Sequence, residues 1–283
     1  MGRIDLHLHT TFSDGSLPPT EVIALAEMAG VTALAITDHD ILEGIPEATQ
    51  AAAAFGIEVI PGVEISSRYR DGELHVLGYF IDPDDAQFQE RLALLRASRH
   101  QRNPVIIEKL RSMGLAITYE EVTALAGTAS VGRPHIARVL MQKGYVTSAK
   151  EAFDRYLAAG KPAYVARELP SPANAVTWIR EANGVPVLAH PLWVREDGNS
   201  LRRLCEELQQ AGLGGIEVHY STHTRQQTSE FLNLAKRLDL LVTGGSDFHG
   251  VTKPDIIVGR GKGDLNVHAT LLEPLRQAAS TSH

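Results

Sequence analysis

The chain has 283 residues, 43% of them hydrophobic and 22% charged, which suits one large α/β domain, alone or with a modest insertion. Its net charge of −7 excludes a whole-molecule field for nucleic acid, so an anionic substrate must be held by local cations. One cysteine excludes an intramolecular disulfide and fits a reducing compartment.

RIDLHLHT (residues 3–10) opens as a strand with strict alternation. Ile4, Leu6 and Leu8 fall on one side, expected to pack outward against helices; Asp5, His7 and His9 fall on the other. A solvated face normally carries Lys, Glu, Thr or Ser, so two histidines with an aspartate read as a row of ligands. PTEVIALAEMAG (19–30) follows as an amphipathic helix closing on Gly30. Further strands are expected at ALAIT (33–37), EVIPGVEIS (58–66), LHVLGYFI (74–81), VPVLA (185–189), GIEVHY (215–220) and LLVTGGS (240–246), with TRQQTSEFLNLAKRL (224–238) a helix. Strands alternating with helices imply a parallel sheet, and the number of repeats favours a barrel over a doubly wound sheet.

Residues 84–165 break this rhythm with consecutive helical stretches, RPHIARVLMQKG and SAKEAFDRYLAAG among them. The expected organisation is a barrel from 1–83 and 166–283, with 84–165 an all-helical insertion serving as a substrate lid. Cys205 lies in the helical SLRRLCEELQQAG, where a small buried hydrophobe is the simplest reading. No signal segment, membrane span or myristoylation signal is evident, so a cytoplasmic location without a membrane partner is expected.

In parallel α/β architectures the chemistry sits at the C-terminal ends of strands. There this sequence places His7, His9 and Asp14; His39 within TDHD; Glu64; His75; His190 in AHP; and Asp247 and His249 in SDFH. A lone histidine at a strand end is usually a packed structural residue, and a lone aspartate usually a helix cap. So many polar groups around one mouth would be costly without cations to neutralise them. Imidazole and carboxylate together suit Mn, Fe or Zn. Nine side chains exceed one ion's needs, so two or three divalent metals are expected, with a bridging carboxylate. Such a site activates water as hydroxide and clamps the oxygens of an in-line displacement, the needs of phosphoester hydrolysis.

DLHLHTTFSDG, TDHD, GVEIS, AHP and SDFH resemble, in order, the motifs of the PHP (polymerase and histidinol phosphatase) superfamily, implying a distorted (β/α)7 barrel. The resemblance implies three metals, with Mn the most fitting. His7, His9, Glu64 and Asp247 would hold one; Glu64, bridging, with His75 and His190 a second; Asp14, His39 and His249 the third. Asp5, Asp38 and Asp40 would orient imidazoles through the other ring nitrogen, with helix capping an equal alternative for Asp40. In the insertion, VGRPHIARVL and GKPAYV resemble the subgroup that removes the 3′-phosphate of nucleoside 3′,5′-bisphosphates, whose relatives are 5′-to-3′ exoribonucleases on short RNAs. Arg133 and Lys161 would bind phosphate, and His135 and His223 would contact phosphate or leaving group. Protonation of the leaving oxygen is open between His223 and metal-bound water.

The expected activity is metal-dependent hydrolysis of a nucleotide with two phosphates, or of the 5′ end of a short 5′-phosphorylated RNA. Duplex DNA is not an expected partner. The alternatives are a histidinol-phosphate phosphatase and a non-catalytic PHP interaction module.

Overall fold

The computed structural model describes residues 2–127, 130–194 and 198–281. Seven strands form one sheet in chain order: β1 (Arg3–Leu8), β2 (Val31–Ile36), β3 (Glu58–Tyr69), β4 (Gly72–Tyr79), β5 (Val185–Leu188), β6 (Gly215–Tyr220) and β7 (Leu241–Gly245). The ends nearly close, because the Asp247 N–H donates to the His7 carbonyl at 2.9 Å and the His9 N–H to the Phe248 carbonyl at 3.1 Å. Gly245 permits that approach, since a Cβ there would sit 2.4 Å from the His7 Cβ. Helices α1 (Pro19–Met28) and α2 (Ile45–Ala52) surround the barrel with α7 (Pro172–Glu181), α8 (Gly198–Ala211) and α9 (Arg225–Leu238), and α10 (Leu272–Ser280) packs beside the strand interior. Gly30 adopts φ +71 just after α1, as its position suggested.

The strand side chains divide between two apolar clusters. Leu34, Ile36, Val63, Ile65, Val76 and Val218 pack with the surrounding helices. Ala33, Ala35, Ile60, Leu77, Tyr79 and Val187 fill the interior with Leu272 and Leu275 of α10. Alternation along β2 to β5 thus gives one residue to the helices and the next to the interior.

Two expectations need correction. The sheet is not all parallel: β4 runs antiparallel to both β3 and β5, joined to β3 by a tight turn. His75 therefore reaches the mouth from the N-terminal half of its strand, opposite Ser66, and not from a C-terminal end. Nor is the alternation along β1 strict. Ile4 and Leu6 pack in the interior cluster whereas Leu8 packs with the helices. The register with β2 takes an extra residue between Asp5 and Leu8, a bulge that re-aims the chain so that His7 and His9 both face the mouth.

Between β4 and α7 run α3 (Ala86–Ser112), α4 (Tyr119–Ala126), α5 (Arg133–Gln142), α6 (Ala149–Ala152) and a π-helical turn, Phe153–Leu157. They share an apolar cluster of their own, including Ile106, Leu110, Val122, Ile136, Leu140 and Leu157. Helix α3 joins the two bodies: Phe88, Leu92 and Leu95 pack in the barrel's helix-side core, and Ile106, Ile107 and Leu110 in the second cluster. Thr118 begins α4 with a capping box, accepting from the Glu121 N–H while Glu121 accepts from its own. No helix among the described residues is long and apolar enough to cross a membrane.

Candidate metal centre

All nine side chains singled out at strand ends meet at one mouth. His9, Asp14, His39 and His249 form one group whose ligating atoms lie within 4.8 Å of one another; His7, His9 and Asp247 form another. Glu64 sits between the rest. Its Oε1 is 2.8 Å from His75 Nδ1 and 2.8 Å from His190 Nε2. Its Oε2 is 3.2 Å from His9 Nε2, 3.2 Å from His39 Nδ1 and 3.3 Å from His7 Nε2. One carboxylate thus turns a separate oxygen to each side, the disposition a bridging ligand needs.

The donor set fits divalent cations. His7 Nε2, His9 Nε2 and His39 Nδ1 are buried and make no hydrogen bond, although each lies beside carboxylate oxygens. A buried ring nitrogen without a partner is costly, and a cation between lone pair and carboxylate removes that cost. Charge is divided unevenly here. Burial opposes protonation of His9, but the Asp247 and Glu64 carboxylates beside it outweigh that and lift the ring to about 9. At His39 burial dominates and pushes the ring down to about 3. Burial would raise Glu64, yet His39, His75 and His7 hold it well below the usual carboxylate range.

Backbone strain accompanies the site. His190 has φ +26, Asp247 φ +55 and Asp40 φ +58, conformations a non-glycine residue rarely adopts. Asp247 presents Oδ1 to His7 at 3.6 Å and to His9 at 3.4 Å. Its Oδ2 accepts from the Tyr220 hydroxyl at 2.6 Å and pairs with Lys253.

The three further aspartates lie behind the rings but do not bond to them. Asp5 accepts from the backbone N–H groups of Gly259 at 2.7 Å, Ser246 at 2.8 Å and His7 at 3.3 Å. Asp38 accepts from the Thr10 N–H at 2.8 Å, its hydroxyl at 2.6 Å, and the Ser13 hydroxyl, holding the loop after β1. Asp40 neither orients an imidazole nor caps α2, which begins after Gly44. It pairs instead with Arg99 at 2.5 Å and Arg167 at 3.2 Å, and these hold it down at about 2 although burial alone would raise it. The part expected of these residues is taken by Glu217, whose Oε1 lies 2.9 Å from His7 Nδ1.

Beside this cluster of candidate ligands is a cavity of about 150 Å³ lined by Asp14, His39, His75, Glu73, Arg99, Arg102, Arg133, Arg167, Phe153 and Pro134, with Ser66. Four guanidinium groups meet two carboxylates: Asp40 takes Arg99 and Arg167, while Glu73 takes Arg133 at 2.8 Å and Arg102 at 3.8 Å. The surplus positive charge faces the candidate ligands. Arg133 is also packed between the rings of Phe153 and Tyr164, at 5.8 and 5.7 Å.

The other expected substrate residues are placed unequally. Lys161 is exposed on a turn and does not line the cavity; Arg167, six residues on, does. His135 is buried, its Nδ1 accepting from the Gly132 N–H at 3.1 Å at the start of α5, and burial pushes it down to about 4. His223 Nδ1 donates to the Val218 carbonyl at 2.8 Å, leaving a buried Nε2 without a partner.

Sequence reasoning missed Glu217, Tyr220, Lys253, Glu73, Arg99, Arg102 and Arg167. Two signals were available. Arg99 and Arg102 continue the buried stripe of α3 set by Leu92 and Leu95 and resumed at Ile106 and Leu110. Arginine in a core register implies a buried counter-charge or an anion site. Glu217 stands between Ile216 and Val218 in an apolar strand, as Asp5 does in β1.

A family model described as "PHP domain" matches residues 5–171. A Haemophilus influenzae protein named 5′-3′ exoribonuclease is 38% identical over 247 residues, covering 87% of this chain and 90% of its own. A Chromobacterium violaceum protein named 3′,5′-nucleoside bisphosphate phosphatase is 36% identical over 250 residues, covering 88% of each chain. A crystal structure from Bifidobacterium adolescentis, described as a metal-dependent phosphoesterase, superposes with a TM-score of 0.86 at 31% identity, over 97% of this chain and 96% of that one.

Proposed function

From the premise that this chain belongs to the PHP domain family, we propose that it is a metal-dependent phosphoesterase acting on nucleotides that carry two phosphates, or on the 5′ end of short RNA. The observation that carries this reading is the junction of two features: nine convergent metal-type ligands and, opening onto them, a cavity with four arginines. One phosphate placed at the cluster leaves the other within reach of the guanidinium groups.

His7, His9, Glu64 and Asp247 would hold one ion, Glu64, His75 and His190 a second, and Asp14, His39 and His249 a third. Manganese suits this nitrogen and oxygen set. Bound there, divalent cations supply Lewis acidity and water activated for attack on phosphorus. The chain's own residues do the rest. Arg99, Arg102, Arg133 and Arg167 neutralise and orient the phosphate that is not cleaved, through paired N–H donors matched to its oxygens. The walls of a mouth built from buried side chains exclude bulk water and strengthen those charges. His223, its Nδ1 proton committed to the Val218 carbonyl, would protonate the leaving oxygen from Nε2 when that nitrogen also carries a proton.

The test compares turnover of 3′,5′-adenosine bisphosphate, 5′-phosphorylated short RNA and histidinol phosphate by the manganese-loaded protein. Hydrolysis of either of the first two, well above the third, is expected. Preference for histidinol phosphate overturns the substrate reading; no hydrolysis of any, with less than one equivalent of metal retained, overturns the enzyme reading in favour of a non-catalytic module.

A further inference from the structure

Glu217 lies fully buried in β6, flanked by Ile216 and Val218, which pack with the surrounding helices. Its carboxylate joins two candidate metal ligands, His7 in β1 and His190 just past β5. Oε1 is 2.9 Å from His7 Nδ1, and Oε2 accepts from the backbone N–H of His190 at 2.7 Å. We propose that Glu217 is a positioning residue which fixes the proton of His7 on Nδ1 and the backbone of His190 in its left-handed conformation, so that one side chain prepares ligands of two neighbouring metal sites. This rests on the metal reading of the mouth given above.

An ionised carboxylate only accepts hydrogen bonds, so the ring nitrogen facing it must carry the proton. A neutral His7 with its proton on Nδ1 has a lone pair on Nε2. That lone pair is aimed between Glu64 Oε2 at 3.3 Å and Asp247 Oδ1 at 3.6 Å, two acceptors, and it makes no hydrogen bond. A divalent cation among these three acceptors would offset their mutual repulsion.

His190 carries the second half. At φ +26 and ψ +66 its backbone departs from ordinary conformations, and its ring reaches Glu64 at 2.8 Å. Its N–H donates to Glu217 Oε2, which thereby holds the turn that aims the ring. The strand supporting this arrangement is irregular as well. Glu217 pairs with Thr243 and His219 with Gly244, an extra residue in β6. That bulge lets Glu217 and Tyr220, three residues apart, both reach metal-side groups, which strict alternation would forbid.

Glu217→Gln separates this role from simple space filling, because an amide has one acceptor for two donors. With its oxygen on the His190 N–H, its NH₂ faces His7 Nδ1 and forces the proton onto Nε2, where a metal would bind. With its oxygen on His7, NH₂ opposes the His190 N–H and disturbs the turn. Either way one site is impaired.

The experiment measures manganese stoichiometry and affinity of wild type and Glu217→Gln, and the ¹⁵N and proton signals of His7 in the zinc-loaded full-length protein. In the wild type, His7 is expected to show an exchange-protected proton on Nδ1. In the variant that proton is lost or shifted, at least one metal equivalent is missing, or manganese affinity falls about 10- to 100-fold. Unchanged metal binding together with an unchanged His7 signal overturns the proposal. A wild-type His7 protonated on Nε2 overturns it too, and this holds even if the variant fails to fold. Failure of the wild type itself to bind divalent ions overturns the metal reading and this proposal together, a result distinct from the other two.

Discussion

Replacing Asp40 by asparagine tests whether the arginine cavity is built around buried charge. Asp40 is wholly buried; its Oδ1 accepts from the Ser66 N–H at 2.8 Å, and its Oδ2 pairs with Arg99 at 2.5 Å and Arg167 at 3.2 Å. Asparagine fits the same space and can keep the Ser66 bond through its amide oxygen. It leaves both guanidinium groups, themselves only 6% exposed, without their shared counter-charge. Removing one partner of a buried pair costs about 3–5 kcal/mol, and one carboxylate here serves two cations, which favours the upper part of that range. At about 2–4 °C per kcal/mol for a chain near this size, the melting temperature should fall by roughly 10 °C. Arg99→Met should cost less, because Asp40 keeps Arg167. Urea unfolding and thermal scans of the metal-depleted proteins read both effects. A loss below about 1 kcal/mol for Asp40→Asn, the value of a solvent-screened pair, would refute the argument, as would a larger loss for Arg99→Met.

Three other outcomes are expected. His9→Ala and Asp247→Ala should abolish phosphoester hydrolysis and lower bound metal by mass spectrometry; near-wild-type turnover with metal retained would show the ligand assignment to be wrong. Arg133→Ala removes a charged hydrogen-bond donor worth about 1.5–3 kcal/mol, so KM for a bisphosphate should rise roughly 10- to 100-fold while kcat changes little. An equal fall in kcat with KM unchanged would place Arg133 in the chemical step instead. Cys205 is buried, and that burial, with Glu206 nearby, pushes its thiol up to about 12. Only about one thiol in ten thousand is then ionised at pH 8, so a disulfide reagent should leave the native protein untouched and titrate one thiol after unfolding.

Much of the site was legible because metal ligands must be particular residue types. His7, His9, Asp14, His39, Glu64, His75, His190, Asp247 and His249 stand out at the ends of apolar runs, where histidine and carboxylate have no packing reason to recur, and the structure brings all nine to one mouth. The barrel was legible for the same kind of reason, since strand and helix periodicities alternate along the chain. Lys161, expected to bind phosphate, lies outside the cavity lining, since a turn lysine carries no periodicity to say which way it points. Arg167 fills a place in the cavity from a segment with no regular structure.

Side-chain roles behind the ligands were legible only as charge set among apolar residues, Glu217 in β6 and Arg99 and Arg102 in α3, with nothing to name their partners. A buried aspartate beside a histidine in sequence reads as its orienting partner, yet Asp5, Asp38 and Asp40 turn to backbone N–H groups, hydroxyls and arginines. The residue that orients His7 comes from β6, 210 positions away. What the sequence by itself determined is the inventory: which side chains are chemically able to hold cations, and that they gather at or near strand ends of one α/β barrel. What only the tertiary structure decided is their aim. A bulge in β1, another in β6 and the reversed direction of β4 each shift a strand's facing, and a facing depends on register with neighbouring strands, which local alternation does not encode.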